Sequence, residues 1–225
     1  MGSIRQAVII MAKQPQAGQA KTRLCPPLTP KQAAELAEAF LQDTVANALR
    51  ADCAETVLAY APSEAVAWFA AQFPGLARIP QQGRDLGQRL AAAFDSAWRL
   101  GCQPCLAIGA DSPDLPVEYL RSACEALRAS PESADVVLGP AEDGGYYLIG
   151  LQRRQPRLFE AIDWSTERVL AQTLERAAAL GLRVHLLPPW RDRDTAADLD
   201  HLRVHLQTAP ADVCPATCRL LATLP

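Results

Sequence analysis

Lys13, Lys21 and Arg23 fall within eleven residues of one another, in the stretch "KQPQAGQAKTRL" (13–24), directly after the apolar run "AVIIMA". Three cations and Gly18 at the exit of a buried strand suit a bound anion, with Arg23 able to make the bidentate contact. The spacing Gly18-x-x-Lys21-Thr22 lacks the second glycine of a P-loop. Two acidic segments follow other apolar runs. In "IGADSPDLP", Asp111 comes directly after "CLAIGA" (105–110), with Asp114 three residues on. In "WRDRDT", Asp192 and Asp194 follow "RVHLLP". Carboxylates fixed at strand ends can bind Mg²⁺ or Mn²⁺, which also keep waters and phosphate oxygens. Asp114 can equally cap the helix that begins near Pro116, and Asp194 the last helix. A cationic loop facing carboxylates suits a polyphosphate and its divalent metal.

Two further segments carry polar groups with glycine. "QQGRDLGQR" (81–89) joins Gln81, Gln82, Gly83, Asp85 and Gly87. Amides can read a base edge, and glycines let a flat ring approach the backbone. Asp85 also fits a helix N-cap. "GPAEDGGYYLIGL" (139–151) sets Glu142 and Asp143 beside a glycine pair. There Asp143 can orient an acceptor or act as a base, or the segment is only a tight turn. The histidines add nothing: His201 and His205 are four apart but lack the glutamate of H-E-x-x-H. The chain has no G-x-S-x-G and no plausible Ser-His-Asp order.

The elements that must position these groups follow from periodicity. Apolar runs at 5–12, 55–61, 76–80, 105–110, 134–140, 145–151 and 183–188 read as strands. Between them lie helical patterns, with Thr29-Pro30, Ser63 and Ser165 as expected N-terminal signals and Gly101 and Gly181 as expected C-terminal ones. The last full helix is "TAADLDHLRVHLQTA", and the tail (211–224) has room for one more short helix. Alternating strands and helices predict a three-layer α/β/α architecture around a mainly parallel, twisted sheet, with an antiparallel insertion near 135–151. In such sheets ligands sit outside the carboxyl ends of the strands, where the cationic loop, "QQGRDLGQR" and the two acidic segments lie. The 225 residues, without repeat or linker, suit one domain over 1–225.

Composition excludes several classes. A net charge of −3 leaves no global basic surface, so nucleic acid is not the expected partner and any anion site is local. No uninterrupted apolar run reaches about 18 residues, so no membrane span is expected. The N-terminal run is too short for a signal peptide, and Gln6 breaks the myristoylation pattern begun by Gly2. Seven scattered cysteines suit reduced thiols in a cytoplasm. Cys102-x-x-Cys105 leads into a strand and opens no helix, so buried, inert thiols are expected there. A homodimer stays open.

Six ordered blocks, "MAKQPQAGQAKTRLCPPL", "QGRDLGQRL", "IGADSPDLP", "EDGGYYLIGL", "WSTERVLAQT" and "DRDTAADL", span residues 8 to about 205. Together they resemble the DUF2064 family of bacterial, glycosyltransferase-A-like proteins. The resemblance implies the nucleotide-diphospho-sugar transferase fold, shared with sugar-phosphate nucleotidylyltransferases and 2-phospho-lactate guanylyltransferase. It implies that Lys21 and Arg23 hold a triphosphate. Asp111 then binds the metal, Asp194 completes the metal site, and Gln82, Gly83 and Gly87 lie beside the base. The first loop differs from the L-A-A-G-x-G-x-R-M of sugar nucleotidylyltransferases. The centre reads Asp111-Ser112-Pro113-Asp114, not the D-x-D of glycosyltransferases.

Three activities are compatible with these residues. One is nucleotidyl transfer from an NTP to a phosphorylated small-molecule acceptor, releasing pyrophosphate. The second is glycosyl transfer from a nucleotide sugar, with Asp143 or Glu142 as base. The third is a nucleotide-binding regulator without turnover, which would be expected to lack a metal carboxylate or break the phosphate loop. The triply basic first loop favours nucleotidyl transfer, because departing pyrophosphate needs cations.

Overall fold

The strand residues alternate between two apolar faces, and the computed structural model shows what covers each. It describes residues 5–128, 130, 133–210 and 212–224. The strands are β1 (Arg5–Lys13), β2 (Glu55–Ala61), β3 (Ala77–Pro80), β4 (Cys102–Gly109), β5 (Val136–Pro140), β6 (Tyr146–Leu151) and β7 (Val184–Leu186). They form one sheet in the order β3-β2-β1-β4-β6-β5-β7. Only β6 runs antiparallel, pairing Leu148 with Ile108 of β4 and Ile149 with Leu138 of β5. The expected insertion is thus a single reversed strand inside the sheet. Because β6 is reversed, its beginning, at Tyr146, lies at the same edge as the ends of the other strands.

The helices are α1 (Pro30–Ala51), α2 (Val66–Gln72), α3 (Leu86–Arg99), α4 (Val117–Ala126), α5 (Val169–Ala179), α6 (Ala196–Thr208) and α7 (Pro215–Leu221). Val8, Ile10, Leu106 and Ile108 pack with Leu41 and Val45 of α1, Phe69 of α2 and Leu120 of α4. Ala7, Ile9, Cys105 and Ala107 point the other way, toward Leu90 and Phe94 of α3, Ala177 of α5 and Phe159 of the 3₁₀ turn Pro156–Phe159. Period-two alternation with both faces apolar is what a sheet covered on both sides requires. The helical pattern of "PVEYLRSACEALRAS" (116–130) runs past the observed end of α4 at Ala126, and its Ala129 lies outside the described residues.

Local chemistry sets the helix ends. Thr29 and Gln32 form a capping box, with Pro30 in the first turn of α1. Asp85 accepts a hydrogen bond from the Gln88 amide and starts α3. Gly101 and Gly181 take positive φ (84° and 68°) just past α3 and α5. Two expected caps are corrected. Ser63 lies inside a 3₁₀ turn (Ser63–Ala65) that precedes α2. Ser165 has φ 65° in a turn, and α5 starts only after Arg168. The tail helix forms as α7. Buried Asp43 of α1 accepts from the amides of Ala216 and Thr217 at 3.0 and 2.8 Å, satisfying its first turn. No helix among the described residues is long and apolar enough to cross a membrane.

Candidate functional site

Each predicted segment leaves the sheet at one edge, and the loops there enclose a cleft of about 1100 Å³. The first loop is pinned from within. Leu24 is fully buried among Leu28, Leu36 and Phe40 on one side and Leu199 and Leu202 on the other. Gln14 donates to Ala61 O at 2.7 Å, tying the loop to the end of β2. Lys21 takes the left-handed backbone conformation (φ 46°) before a 3₁₀ turn (Thr22–Leu24). Its side chain, 6% exposed, lies 5.1 Å over the Phe40 ring. The ammonium reaches Asp111 Oδ1 at 2.6 Å, Asp194 Oδ1 at 2.7 Å and Arg193 O at 2.8 Å. Burial works against the charge of Lys21, but Asp111 and then Asp194 outweigh it and hold its pKa above the ordinary 10.5.

The two acidic segments are stitched together. Arg193 donates its amide to Asp111 O at 3.0 Å, and Ser112 Oγ donates to Asp192 Oδ1 at 2.7 Å. Beneath them Arg193 donates to both Asp114 oxygens, at 2.6 and 3.3 Å. Asp114 is completely buried and Arg193 is 8% exposed. Asp114 is therefore neither helix cap nor cleft carboxylate; it anchors the loop that carries Asp194. Nor does Asp194 cap α6, because Thr195 and Asp198 form that capping box. Burial pushes the Asp192 carboxyl up to about 6, and the nearby charges of Asp111, Asp194 and Asp143 add to the rise while the Ser112 hydrogen bond opposes it.

Of the sequence-predicted residues, Lys13, Lys21, Arg23, Gly83, Asp111 and Asp194 line the cleft, with Asp192. Gly18 (φ 79°) shapes the first loop but lies outside the lining, as does exposed Gln82. Gly87 is buried away from it: a Cβ there would lie 2.5 Å from the Trp164 indole nitrogen, so this glycine serves helix packing. Asp143 also lies outside the lining, accepting from the Gly145 amide at 2.9 Å, and Glu142 is paired with Arg191 at 2.6 Å. Gly144 makes the turn between β5 and β6 with φ 87°, against the Glu167 carbonyl.

Sequence reasoning missed Arg84, Arg89 and Tyr146, which lie on the cleft wall together with Gln81. Both arginines stood in the quoted segment after β3, so their charge was the available signal. Gln81 spends its amide on Ala12 O and Ala59 O, bridging the ends of β1 and β2. Arg89 donates to Gly83 O at 3.2 Å. Among the described residues, no carboxylate pairs with Lys13, Arg23, Arg84 or Arg89. All seven cysteines are free, and burial pushes Cys105 up to about 12.

The carboxylate pair fits a hard divalent cation. Asp111 and Asp194 each aim one oxygen at a single point that a cation, the Lys21 ammonium, already satisfies. Both carboxylates are about half open to the cleft (53% and 42% exposed), which leaves room for water and phosphate ligands. The described residues hold no group of three or more His, Cys, Asp or Glu set to bind a metal alone.

This architecture is that of nucleotide-diphospho-sugar transferases and nucleotidyltransferases. The chain belongs to the DUF2064 family, described as uncharacterized proteins conserved in bacteria, with residues 44–166 matched. A crystal structure from Desulfovibrio desulfuricans G20, provisionally named a nucleotide-diphospho-sugar transferase, is 31% identical over 98% of this chain and 95% of its own, with a TM-score of 0.89. CMP:2-keto-3-deoxy-manno-octonic acid synthetase complexed with CTP shares the fold at 16% identity, 90% and 98% coverage and a TM-score of 0.57. Rv0371c of Mycobacterium tuberculosis H37Rv, in complex with manganese, does so at 14% identity, 89% and 98% coverage and a TM-score of 0.54. No protein of curated function matches the sequence.

Proposed function

We propose that this chain is a metal-dependent nucleotidylyltransferase that moves NMP from an NTP to a phosphorylated small molecule and releases pyrophosphate. The observation that carries the reading is the charge layout of the cleft. Lys13, Arg23, Arg84 and Arg89 line it without carboxylate partners, while Asp111 and Asp194 converge on one point of the same wall. Phosphate oxygens satisfy such cations, and Arg23 and Arg84 can each grip two of them. Mg²⁺ or Mn²⁺ held by Asp111 and Asp194 would neutralise charge on the transferring phosphoryl group. The chain's own residues need only bind and orient the reactants. An acceptor phosphate attacks the α-phosphorus in line, and Lys13, Arg23 and the ammonium of Lys21 receive the leaving pyrophosphate. In this reading Gly83 and Gln82 serve the nucleoside, with Gly18 and Gly87 shaping the loop and helix around them, and Asp143, just outside the cleft lining, serves the acceptor. Structures of the same fold hold CTP in one case and manganese in another, which supports the choice of ligands.

Glycosyl transfer from a nucleotide sugar is the second reading, and the name of the 31%-identical relative favours it. In that case Asp143 is the better base, because Arg191 already engages Glu142. The free thiols fit a cytoplasmic protein, with residues 1–225 as one domain. The test is equilibrium binding of NTPs with and without Mn²⁺ to the parent and to Asp111→Ala. The parent binds only with metal, and the variant loses about a hundredfold in affinity. A variant that binds like the parent would remove Asp111 from the site.

A further inference from the structure

Lys21 was expected on phosphate, yet its ammonium sits between the two carboxylates assigned to the metal. We propose that Lys21 and the divalent cation are alternative occupants of the Asp111–Asp194 pair. Metal arrival then turns the lysine out of the pair and onto the phosphates of the nucleotide. The inference rests on the metal-dependent reading above and adds an exchange of cations to it.

Three oxygens surround the ammonium: Asp111 Oδ1 at 2.6 Å, Asp194 Oδ1 at 2.7 Å and Arg193 O at 2.8 Å. Two carboxylates and a main-chain carbonyl are the ligands a hard divalent cation takes. An ammonium and a divalent ion cannot share that point, because charges of the same sign a few ångströms apart repel strongly in a partly desolvated site. The carboxylates are open to the cleft while the lysine is covered, so a metal reaches the pair from the side where a nucleotide binds. The lysine can leave by rotating its stem alone. It lines the cleft, and its backbone is held by the buried Leu24 turn. A flexible four-carbon stem ending in a strongly hydrated charge suits such a move. The consequence is coupling: metal alone must displace a paired cation, whereas metal with nucleotide offers the displaced ammonium a new anion.

Mn²⁺ binding without nucleotide tests this in the parent, in Lys21→Met, and in Lys21→Met with Asp111→Asn. Free Mn²⁺ is read by its paramagnetic resonance signal. Methionine keeps the stem over Phe40 and removes the competitor. The expected result is Mn²⁺ binding at least about tenfold tighter in Lys21→Met, a gain of about 1.4 kcal/mol. The gain disappears in the double variant. Adding CTP strengthens Mn²⁺ binding less in Lys21→Met than in the parent, because the coupling has lost its carrier. Equal or weaker Mn²⁺ binding in Lys21→Met overturns the exchange. A second readout uses the unmodified chain: saturating Mn²⁺ raises the rate at which a small amine reagent labels Lys21, measured by peptide mass spectrometry. Unchanged labelling overturns it too. The nucleotide arm separates the two claims. A parent that binds Mn²⁺ but no nucleotide sinks the proposed function, while the Mn²⁺-only comparison still decides the exchange.

Discussion

Replacing Asp114 by alanine strands a guanidinium in the interior. Arg193 is 8% exposed, and both of its bonds to Asp114, at 2.6 and 3.3 Å, disappear. His205 Nε2, at 3.9 Å from the lost carboxylate, is itself a base or a cation and offers no counter-charge. Removing one partner of a buried pair costs about 3–5 kcal/mol. For a chain of this length each kcal/mol lowers Tm by about 2–4 °C, so the expected drop is about 6–20 °C. The same change loosens the Arg193 carbonyl and amide that hold Lys21 and Asp111, so metal-dependent nucleotide binding weakens as well. Replacing both partners, Asp114→Leu with Arg193→Met, leaves no uncompensated charge and restores most of the stability. It does not restore nucleotide affinity if the ion pair sets the position of Asp194. Guanidinium unfolding gives the stabilities, and titration with Mn²⁺ and CTP gives the affinities. A loss below about 1 kcal/mol in Asp114→Ala, within the range of an exposed pair, would refute the reasoning.

Other substitutions probe separate parts of the account. Gly144→Ala places a Cβ 2.1 Å from the Glu167 carbonyl oxygen at φ 87°, and chemical denaturation should show a loss of at least about 2 kcal/mol. Asp192 titrates at about 6 when folded, above its ordinary 3.8, so the folded chain holds this proton more tightly than the unfolded one. The stabilising contribution is complete below about pH 4 and is lost as the pH rises through about 6. In metal-free buffer Asp192→Asn should therefore exceed the parent by up to about 3 kcal/mol at pH 8 and match it near pH 4. Parity at pH 8 would show that the carboxylate is not strained. Arg84→Ala should weaken nucleotide binding about tenfold, leave Tm unchanged and flatten the salt dependence of affinity. An unaltered affinity would remove this arginine from the phosphate wall.

The sheet was legible because the centres of β1 (7–12) and β4 (105–108) are apolar at successive positions, as two covered faces demand. The ends of those strands marked the cleft, and the charged segments after them supplied Lys13, Arg23, Asp111 and Asp194. Thr29 and Asp85 were legible as caps because the residue three positions on completes the hydrogen bond. Ser165 was not, since a serine before a helical pattern reads the same whether it caps the helix or turns the chain at φ 65°. Contacts between distant residues left no local trace. Asp114 and Arg193 are 79 positions apart, and each looks like a surface charge until both are seen in the interior. Gly87 looked like a place for a flat ring to approach. A flat ring does approach, but it is the indole of Trp164. Lys21 lines the cleft, while its partners come from loops that only the fold brings together.

The most direct measurement is a thermal-shift panel in Mg²⁺ or Mn²⁺ with the four NTPs, their NDPs and several nucleotide sugars. A ligand that binds only the folded chain raises Tm by mass action. The account predicts that one NTP, with metal, stabilises the chain more than its NDP or any nucleotide sugar. Stabilisation by a nucleotide sugar and its NDP, with the NTP no better, would contradict nucleotidyl transfer and leave glycosyl transfer in its place.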